Sequence, residues 1–355
     1  MLSYIIRRIL IIPILLFGIS VLIFSMISLM KPLDRAQALY VPATAYKPRD
    51  IAGLMNKFGL DEPMHIQYWN WMVGKEDPDT GEMRGGVLRG NLGWSQVGRS
   101  TVAEVISRRL PATAELILWS IIPIIGFGVW LGVKAAENKN KIVDHILRIA
   151  AISGWSIPAF VIGFVLLLYF SSQLHWFAPG RLTIEVREIV QSDEFINYTK
   201  MHSIDALLNW RMDVFVDSVK HLVLPVITLS LTSWAFLLRV TRASTLETLG
   251  KEYITTARAK GLPEKTIIRK HALPNALIPV ITVGGLMLVG LFNGVVITET
   301  VFNYPGVGSF LAEAAISLDL VSVAGVTLFS SVILILGNLI VDVLYVVVDP
   351  RIRLN

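Results

Sequence analysis

Residues 252–280 read EYITTARAKGLPEKTIIRKHALPNALIPV, a densely charged strip between two of the most apolar stretches of the chain. Arg or Lys at the centre of a membrane helix costs roughly 2.5–3.5 kcal/mol, so Arg258, Lys260, Lys265, Arg269 and Lys270 together exclude the strip from lipid by more than about 10 kcal/mol. Its local chemistry still specifies order. A helix-forming run covers 252–260, Gly261 suits the left-handed position just past a helix end, and Pro263 suits the first turn of a second helix. His271-Ala272-Leu273-Pro274 is expected to interrupt that second helix before the next apolar run. The strip therefore reads as two short helices meeting at Gly261-Leu262-Pro263, outside the membrane. Ile254 and Ala257, three apart, share a face and make a small apolar patch on a basic background. Such a patch suits docking in a groove of another protein. It equally suits lying on anionic lipid, and the residues alone leave both open.

Of 355 residues, 54% are hydrophobic and only 17% are charged, against about 25% charged in an ordinary soluble domain. Mean hydropathy is +0.61. Six apolar runs, at 9–30, 112–133, 145–170, 222–238, 276–298 and 321–348, come close to or exceed the roughly 20 residues that cross a hydrocarbon core about 30 Å thick. The fold class is an all-α polytopic membrane protein. Arg7 and Arg8, Lys134, Lys139 and Lys141, the dense set from 239 to 270, and Arg351 and Arg353 fall on one side of these spans. That bias puts both termini in the cytoplasm. Arg99, Arg108 and Arg109 oppose it, but they lie in a long connection, and long translocated segments respond weakly to charge. The first run is too long for a signal-peptide core and Ser28-Leu29-Met30-Lys31-Pro32 lacks a small-x-small cleavage pattern, so an uncleaved first span is expected.

The formal net charge of +5 reads as this topology and not as a preference for nucleic acid. The chain has no cysteine, which excludes disulfides, thiolate catalysis and cysteine metal sites. Two extracytoplasmic segments remain, 31–110 and 171–221. The first carries the turn-forming KEDPDTGEMRGG at 75–86 and the pair Trp69/Trp71; the second carries Trp176 and Trp210. These aromatics suit a membrane-interface belt or local packing, and also contact with a ligand or docking protein.

The stretch YITTARAKGL at 253–262 resembles the peptide-permease version of a motif in inner-membrane permeases of ATP-binding-cassette importers, within the dipeptide/oligopeptide/nickel permease family. The general motif runs EAA, three residues, Gly, nine residues, then Ile-x-Leu-Pro. Counting from Gly261 places Thr255-Thr256-Ala257 at the EAA positions and Leu273-Pro274 at the end, with Thr in place of Glu and the first Ala, and His271 at the Ile position. NLGWS at 91–95, RLPAT at 109–113, ETVFNYPGVG at 299–308 and the terminal DPRIR at 349–353 resemble further signatures of that family, in the expected order. The long first external segment is similar to that of the first of two paired permeases, the peptide-permease B type.

What the resemblance implies is a type I importer transmembrane domain with six spans and cytoplasmic termini. Residues 1–30 would be the first span, 31–110 an extracytoplasmic segment, and 111–350 the transmembrane core. That core would include an extracytoplasmic insertion at 171–221 and a cytoplasmic coupling loop at 241–275. It also implies a permease that forms half of a peptide path, with oligosaccharides or nickel as alternative cargo, in a bacterial or archaeal cytoplasmic (inner) membrane. The coupling residues would be Ile254, Thr255, Thr256, Ala257, Ala259, Lys260, Gly261, Leu262 and Pro263. Implied partners are a second homologous permease, two ATPase subunits, an extracytoplasmic solute-binding protein and membrane lipid. ATP and magnesium would be used by the ATPases, with no cofactor bound by this chain and no catalysis of its own. The absence of a GxxxxGK[ST] phosphate loop agrees with that division of labour.

Other ionisable groups invite separate readings. Glu115, Glu299 and Asp342 lie in or near apolar runs; the first two are expected to snorkel or pair at an interface, while Asp342 is deeper. Membrane carboxylates of this kind would also serve an ion-coupled transporter working alone. A third reading is a scaffold that docks a partner without moving solute. Gly284, Gly285, Gly290 and Gly294 suit close helix packing, and Pro225, Pro274 and Pro279 are expected to bend or end helices. His175, His202, His221 and His271 show no metal-binding spacing, and Asp144-His145 reads as a helix-terminus pair.

Overall fold

The computed structural model describes residues 2–31, 59, 61–76, 81 and 83–348. It is predominantly helical. Five helices are long and apolar enough to cross a membrane, and a sixth candidate is a bent pair. In chain order the long or well-formed helices are α1 (Leu2–Ser28), α2 (Met64–Val73), α3 (Val102–Glu137), α4 (Ile142–Ser156), α5 (Ala159–Leu166), α6 (Ile184–Gln191), α7 (His202–Leu208), α8 (Met212–Leu249), α9 (Glu252–Ala259), α10 (Leu273–Val301), α11 (Val307–Ile316) and α12 (Leu320–Val348). Among the described residues two tiny antiparallel ladders pair Lys75–Glu76 with Met83–Arg84, both from the KEDPDTGEMRGG stretch, and Trp94–Ser95 with Ser100–Thr101.

Two compact units divide the chain. One comprises Ile6–Pro111 with Gly306–Leu336. Its core gathers Ile23, Phe24 and Ile27 of α1, Trp71 of α2, Val102, Val105 and Ile106 of α3, and Phe310 and Val321 from the later segment. Trp71 is buried against Phe24, at 5.6 Å between ring centroids, whereas Trp69 faces out. The other unit comprises Met1–Ile5, Ala112–Pro305 and Gly337–Asn355. Here α3, α8 and α10 share a core that includes Leu116, Ile124, Leu229, Leu237, Val280 and Val295. Within this unit, α6, α7 and the start of α8 build a small core of their own from Leu182, Val190, Phe195, Ala206 and Val214.

Three elements differ from the sequence expectation. The run at 145–170 is not one straight span: α4 and the helix from Ala159 to Gln173 meet at 97° across a short break. Ile157 and Pro158 are both extended there, because Pro158 disfavours helical geometry in the residue before it and cannot donate to the helix behind it. Of the two outcomes expected of Pro225 and Pro279, bending or ending a helix, neither ends one: each lies inside a long helix. His271–Pro274 does not interrupt the second helix of the charged strip either. A first turn at Glu264–Thr266 passes through a π segment, Ile267–Ala272, directly into α10, with Pro274 in its first turn. A widened turn bonds i to i−5, as Leu273 N–H does to Ile268 O, and so absorbs a nearby proline without breaking the rod. DPRIR at 349–353 lies outside the described residues.

Glycine spacing on α10 serves packing where it can be followed. A Cβ built on Gly285 would meet both methyls of Val341 at 3.0 Å, while one on Gly290 would meet nothing within 4 Å.

Candidate partner-docking site

The charged strip folds as a single outlying helix clamped to the start of a long one. Lys251 is extended and Glu252 sits in the first turn of α9, where a carboxylate favours the positive end of the helix. The C-terminus closes in a Schellman motif. Gly261 N–H donates to Arg258 O at 2.9 Å and Leu262 N–H donates to Ala257 O at 3.4 Å, with Gly261 at φ +75°. That left-handed φ costs a side-chain-bearing residue about 1–2 kcal/mol and glycine almost nothing. The chain then turns through Pro263, whose carbonyl accepts from Thr266 N–H at 2.8 Å.

The apolar patch of α9 is already covered. Ile254 is fully buried and Ala257 nearly so, packed with Ile267 and Ala272 of the π segment and flanked by Leu249 and Leu262. The face that the sequence left open to a partner's groove or a lipid surface is thus covered within the chain itself. Thr255, Thr256, Ala259, Lys260, Gly261 and Pro263 are exposed, and Leu262 is half-buried. Two polar links brace the arrangement: Asn275 Nδ2 donates to Tyr253 Oη at 3.2 Å, and Arg258 pairs with Glu264 at 2.7 Å across the turn. The Arg258–Glu264 pair is exposed on both sides, so it orients more than it stabilises. Ser244 Oγ donates to Ala276 O at 2.7 Å, tying α8 to the base of α10. The strip is therefore a rigid, basic, polar-faced projection seated where two long helices converge.

Among the described residues five carboxylates are buried elsewhere: Asp205 accepts from Thr199 N–H and hydroxyl through Oδ1 at 2.8 and 2.7 Å, and protein donors also engage Glu115, Glu299, Asp144 and Asp319. Glu115, expected to snorkel or to pair at an interface, is only 1% exposed. Its Oε1 accepts from Ser203 N–H and hydroxyl at 2.6 and 2.7 Å; its Oε2 accepts from Arg181 Nη2 at 2.7 Å, Arg181 Nε at 3.1 Å and Tyr304 Oη at 3.2 Å. Glu299, also buried, accepts from Thr113 Oγ1 at 2.6 Å. Neither reaches for solvent, since protein donors surround both. Asp144 is held in a fork by Arg242, at 2.6 and 2.7 Å, so it is an interhelical pair and not a partner of His145. In the other unit, Asp319 Oδ2 accepts from Ser95 Oγ and from the N–H groups of Gln96 and Val97, at 3.1, 2.8 and 3.2 Å. Its Oδ1 accepts from Ser322 N–H at 3.1 Å, at the start of α12.

Three of the quoted motifs supply these contacts: Ser95 in NLGWS, Thr113 in RLPAT, and Glu299 and Tyr304 in ETVFNYPGVG. Beside Glu115 and Arg181, His202 is pushed down to about 4, first by burial and then by the Arg181 cation. Among the described residues no cluster of His, Asp and Glu could hold a metal ion. Asp342 is half-buried.

The family described as "Binding-protein-dependent transport system inner membrane component" matches residues 124–354, and its N-terminal counterpart matches residues 1–117. The di/tripeptide transport system permease protein DppB of Pseudomonas aeruginosa is 36% identical over 99% of each chain. The oligopeptide transport system permease protein AppB of Bacillus subtilis is 34% identical over 99% of this chain and 100% of its own. The glutathione transport system permease protein GsiC of Salmonella choleraesuis is 33% identical over 99% of each. Among solved structures, an inward-facing MetNI methionine ABC transporter aligns at TM-score 0.46 and 15% identity, over 67% of this chain and 93% of that one.

Proposed function

This chain belongs to the binding-protein-dependent transport system inner membrane component family, and we propose that it is one of two permease subunits of an ATP-driven importer of short peptides. Membership makes it an inner-membrane transport component and not an enzyme. The observation that carries the peptide assignment is similarity along essentially the whole chain to permeases named for dipeptides, oligopeptides and glutathione.

In this reading α9 is the coupling helix, and an ATPase subunit grips its outward face. Thr255, Thr256, Ala259, Lys260, Gly261 and Pro263 meet the partner, while Ile254, Ala257 and Leu262 hold the helix to its own chain. Such a projection transmits force only if its base cannot pivot. The Ile254–Ala257 packing on the π segment and the Tyr253–Asn275 bond supply that stiffness, so closure of two ATPase subunits reaches α8 and α10 as a rigid-body push. A second permease completes the path, and an extracytoplasmic binding protein delivers the peptide. ATP and magnesium act on the ATPases.

Co-expression with candidate neighbouring subunits, purification in mild detergent and reconstitution test this reading. Recovery of a second permease and an ATPase, with peptide uptake that needs both ATP and binding protein, is the expected outcome. Uptake by this chain alone, driven by an ion gradient and indifferent to ATP, would contradict it. Glu115, Asp144 and Glu299 are each engaged by protein donors rather than left free to carry an ion.

A further inference from the structure

α4 and the second half of α8 pack antiparallel. Asp144 meets Arg242, Ala151 packs with Ala235 and Leu238, and a Cβ built on Gly154 would lie 3.4 Å from Ala235 Cβ and from Leu231 O. Residue numbers rise along one helix as they fall along the other. That register brings Arg148 level with Arg239. Two turns further along α4, on the same helix face as Arg148, the rings of Trp155 and Phe236 stack with centroids 5.0 Å apart, and Arg239 Cζ lies 5.2 Å from the first and 5.6 Å from the second.

Charge is unbalanced here. Asp144 is consumed by both arms of Arg242. Arg239 and Arg148 are both exposed and, among the described residues, neither makes a hydrogen bond or ion pair, though Arg148 contributes to the field at Asp144. The aromatic faces preorganise the Arg239 guanidinium without satisfying its N–H donors. Beside it, Trp155 is 51% exposed, and Ile149 and Ile152 present open apolar side chains along α4. Arg239 also directly follows the apolar run at 222–238, the depth at which a membrane gives way to water and where aromatic and basic anchors gather.

We propose that Trp155, Arg239 and Arg148 form a binding site for the phosphate of an anionic phospholipid, whose acyl chains lie against Ile149 and Ile152. The Arg239 guanidinium, held over the rings, supplies the planar pair of donors that a phosphodiester accepts, and Arg148 adds positive charge along the same face of α4. The adjoining apolar face requires a ligand with a hydrocarbon part, which a free phosphate lacks. The site is separate from the coupling helix, and it does not depend on the transport assignment.

Native mass spectrometry of the full chain in mild detergent tests this, with phosphatidylglycerol and phosphatidylcholine of identical acyl chains added in competition. The wild type is expected to retain phosphatidylglycerol preferentially. Arg148→Gln/Arg239→Gln is expected to lose about fivefold of that preference per arginine, the factor that corresponds to about 1 kcal/mol each. Lys265→Gln, on the coupling strip, should keep it. Excess soluble glycerol phosphate should displace nothing. Equal retention of the two lipids by the wild type would overturn the proposal without recourse to any variant, as would undiminished preference in a double variant that elutes and melts like the wild type. Displacement by glycerol phosphate would overturn it in favour of a free-phosphate site.

Discussion

Leu262 N–H donates to the carbonyl of Ala257 at 3.4 Å, closing α9 over a left-handed Gly261 and turning Leu262 back onto the buried Ile254 and Ala257. One backbone bond thus sets both where the projecting helix stops and which of its faces the chain keeps for itself.

Gly261→Ala is expected to weaken this closure by about 1 kcal/mol and Gly261→Val by more, since φ +75° is costly for any Cβ and worst for a branched one. A Cβ there meets nothing within 4 Å, so the effect is conformational and not a clash. Reconstituted Gly261→Val assemblies should insert normally yet lose most binding-protein-stimulated ATP hydrolysis. ATPase assays alongside a membrane-insertion assay check both halves.

Ile254→Ala should destabilise the strip by about 2–4 kcal/mol, the usual range for emptying a fully buried aliphatic site. Lys260→Glu should leave stability within about 0.5 kcal/mol but weaken recovery of the ATPase, because Lys260 is exposed. Limited proteolysis reports the first effect and co-purification the second. Identical behaviour of the two variants would contradict the division between inner and outer faces.

Glu115→Ala should cost about 3–5 kcal/mol by leaving Arg181 buried without its carboxylate. Glu115→Ala/Arg181→Met should recover much of that loss, since the uncompensated charge is gone. Thermal unfolding in detergent distinguishes the single from the double variant.

Acidification should loosen the packing of α6 and α7 in the second-described unit through His202. Burial and the neighbouring Arg181 hold its folded-state value near 4, against 6.5 in the unfolded chain. Between these values the unfolded state binds the extra proton, so the stability contribution is complete above about pH 6.5 and drains away as pH falls towards 4. His202→Gln should flatten the fall in unfolding temperature across that window relative to the wild type. An unchanged slope would refute this role.

Much of the fold was legible from charge and hydropathy. The strip could not lie in lipid, and Gly261-Leu262-Pro263 named its own turn, because left-handed geometry and a fixed proline φ are local properties. The orientation of α9 was not legible. Periodicity reveals that Ile254 and Ala257 share a face but is silent on what covers it, and Ile267 and Ala272 sit ten or more residues away. Hydropathy likewise passed over the Ile157–Pro158 break, since an apolar window looks the same straight or bent. Glu115 finds Arg181 and Tyr304 across 66 and 189 residues, contacts that no spacing rule anticipates. The motifs ETVFNYPGVG and RLPAT did mark the neighbourhood, though not the carboxylate that Tyr304 serves.

The most direct measurement exploits a chain that contains no cysteine. Single cysteines would be introduced as Thr255→Cys, Lys260→Cys and Ile254→Cys, and each assembly treated with a short thiol-to-amine cross-linker. Cross-links to the ATPase subunit from positions 255 and 260, with position 254 silent and protected from aqueous thiol reagents, are the predicted result. Cross-linking from 254 with none from 255 or 260 would show that the apolar face meets the partner, and would contradict the account.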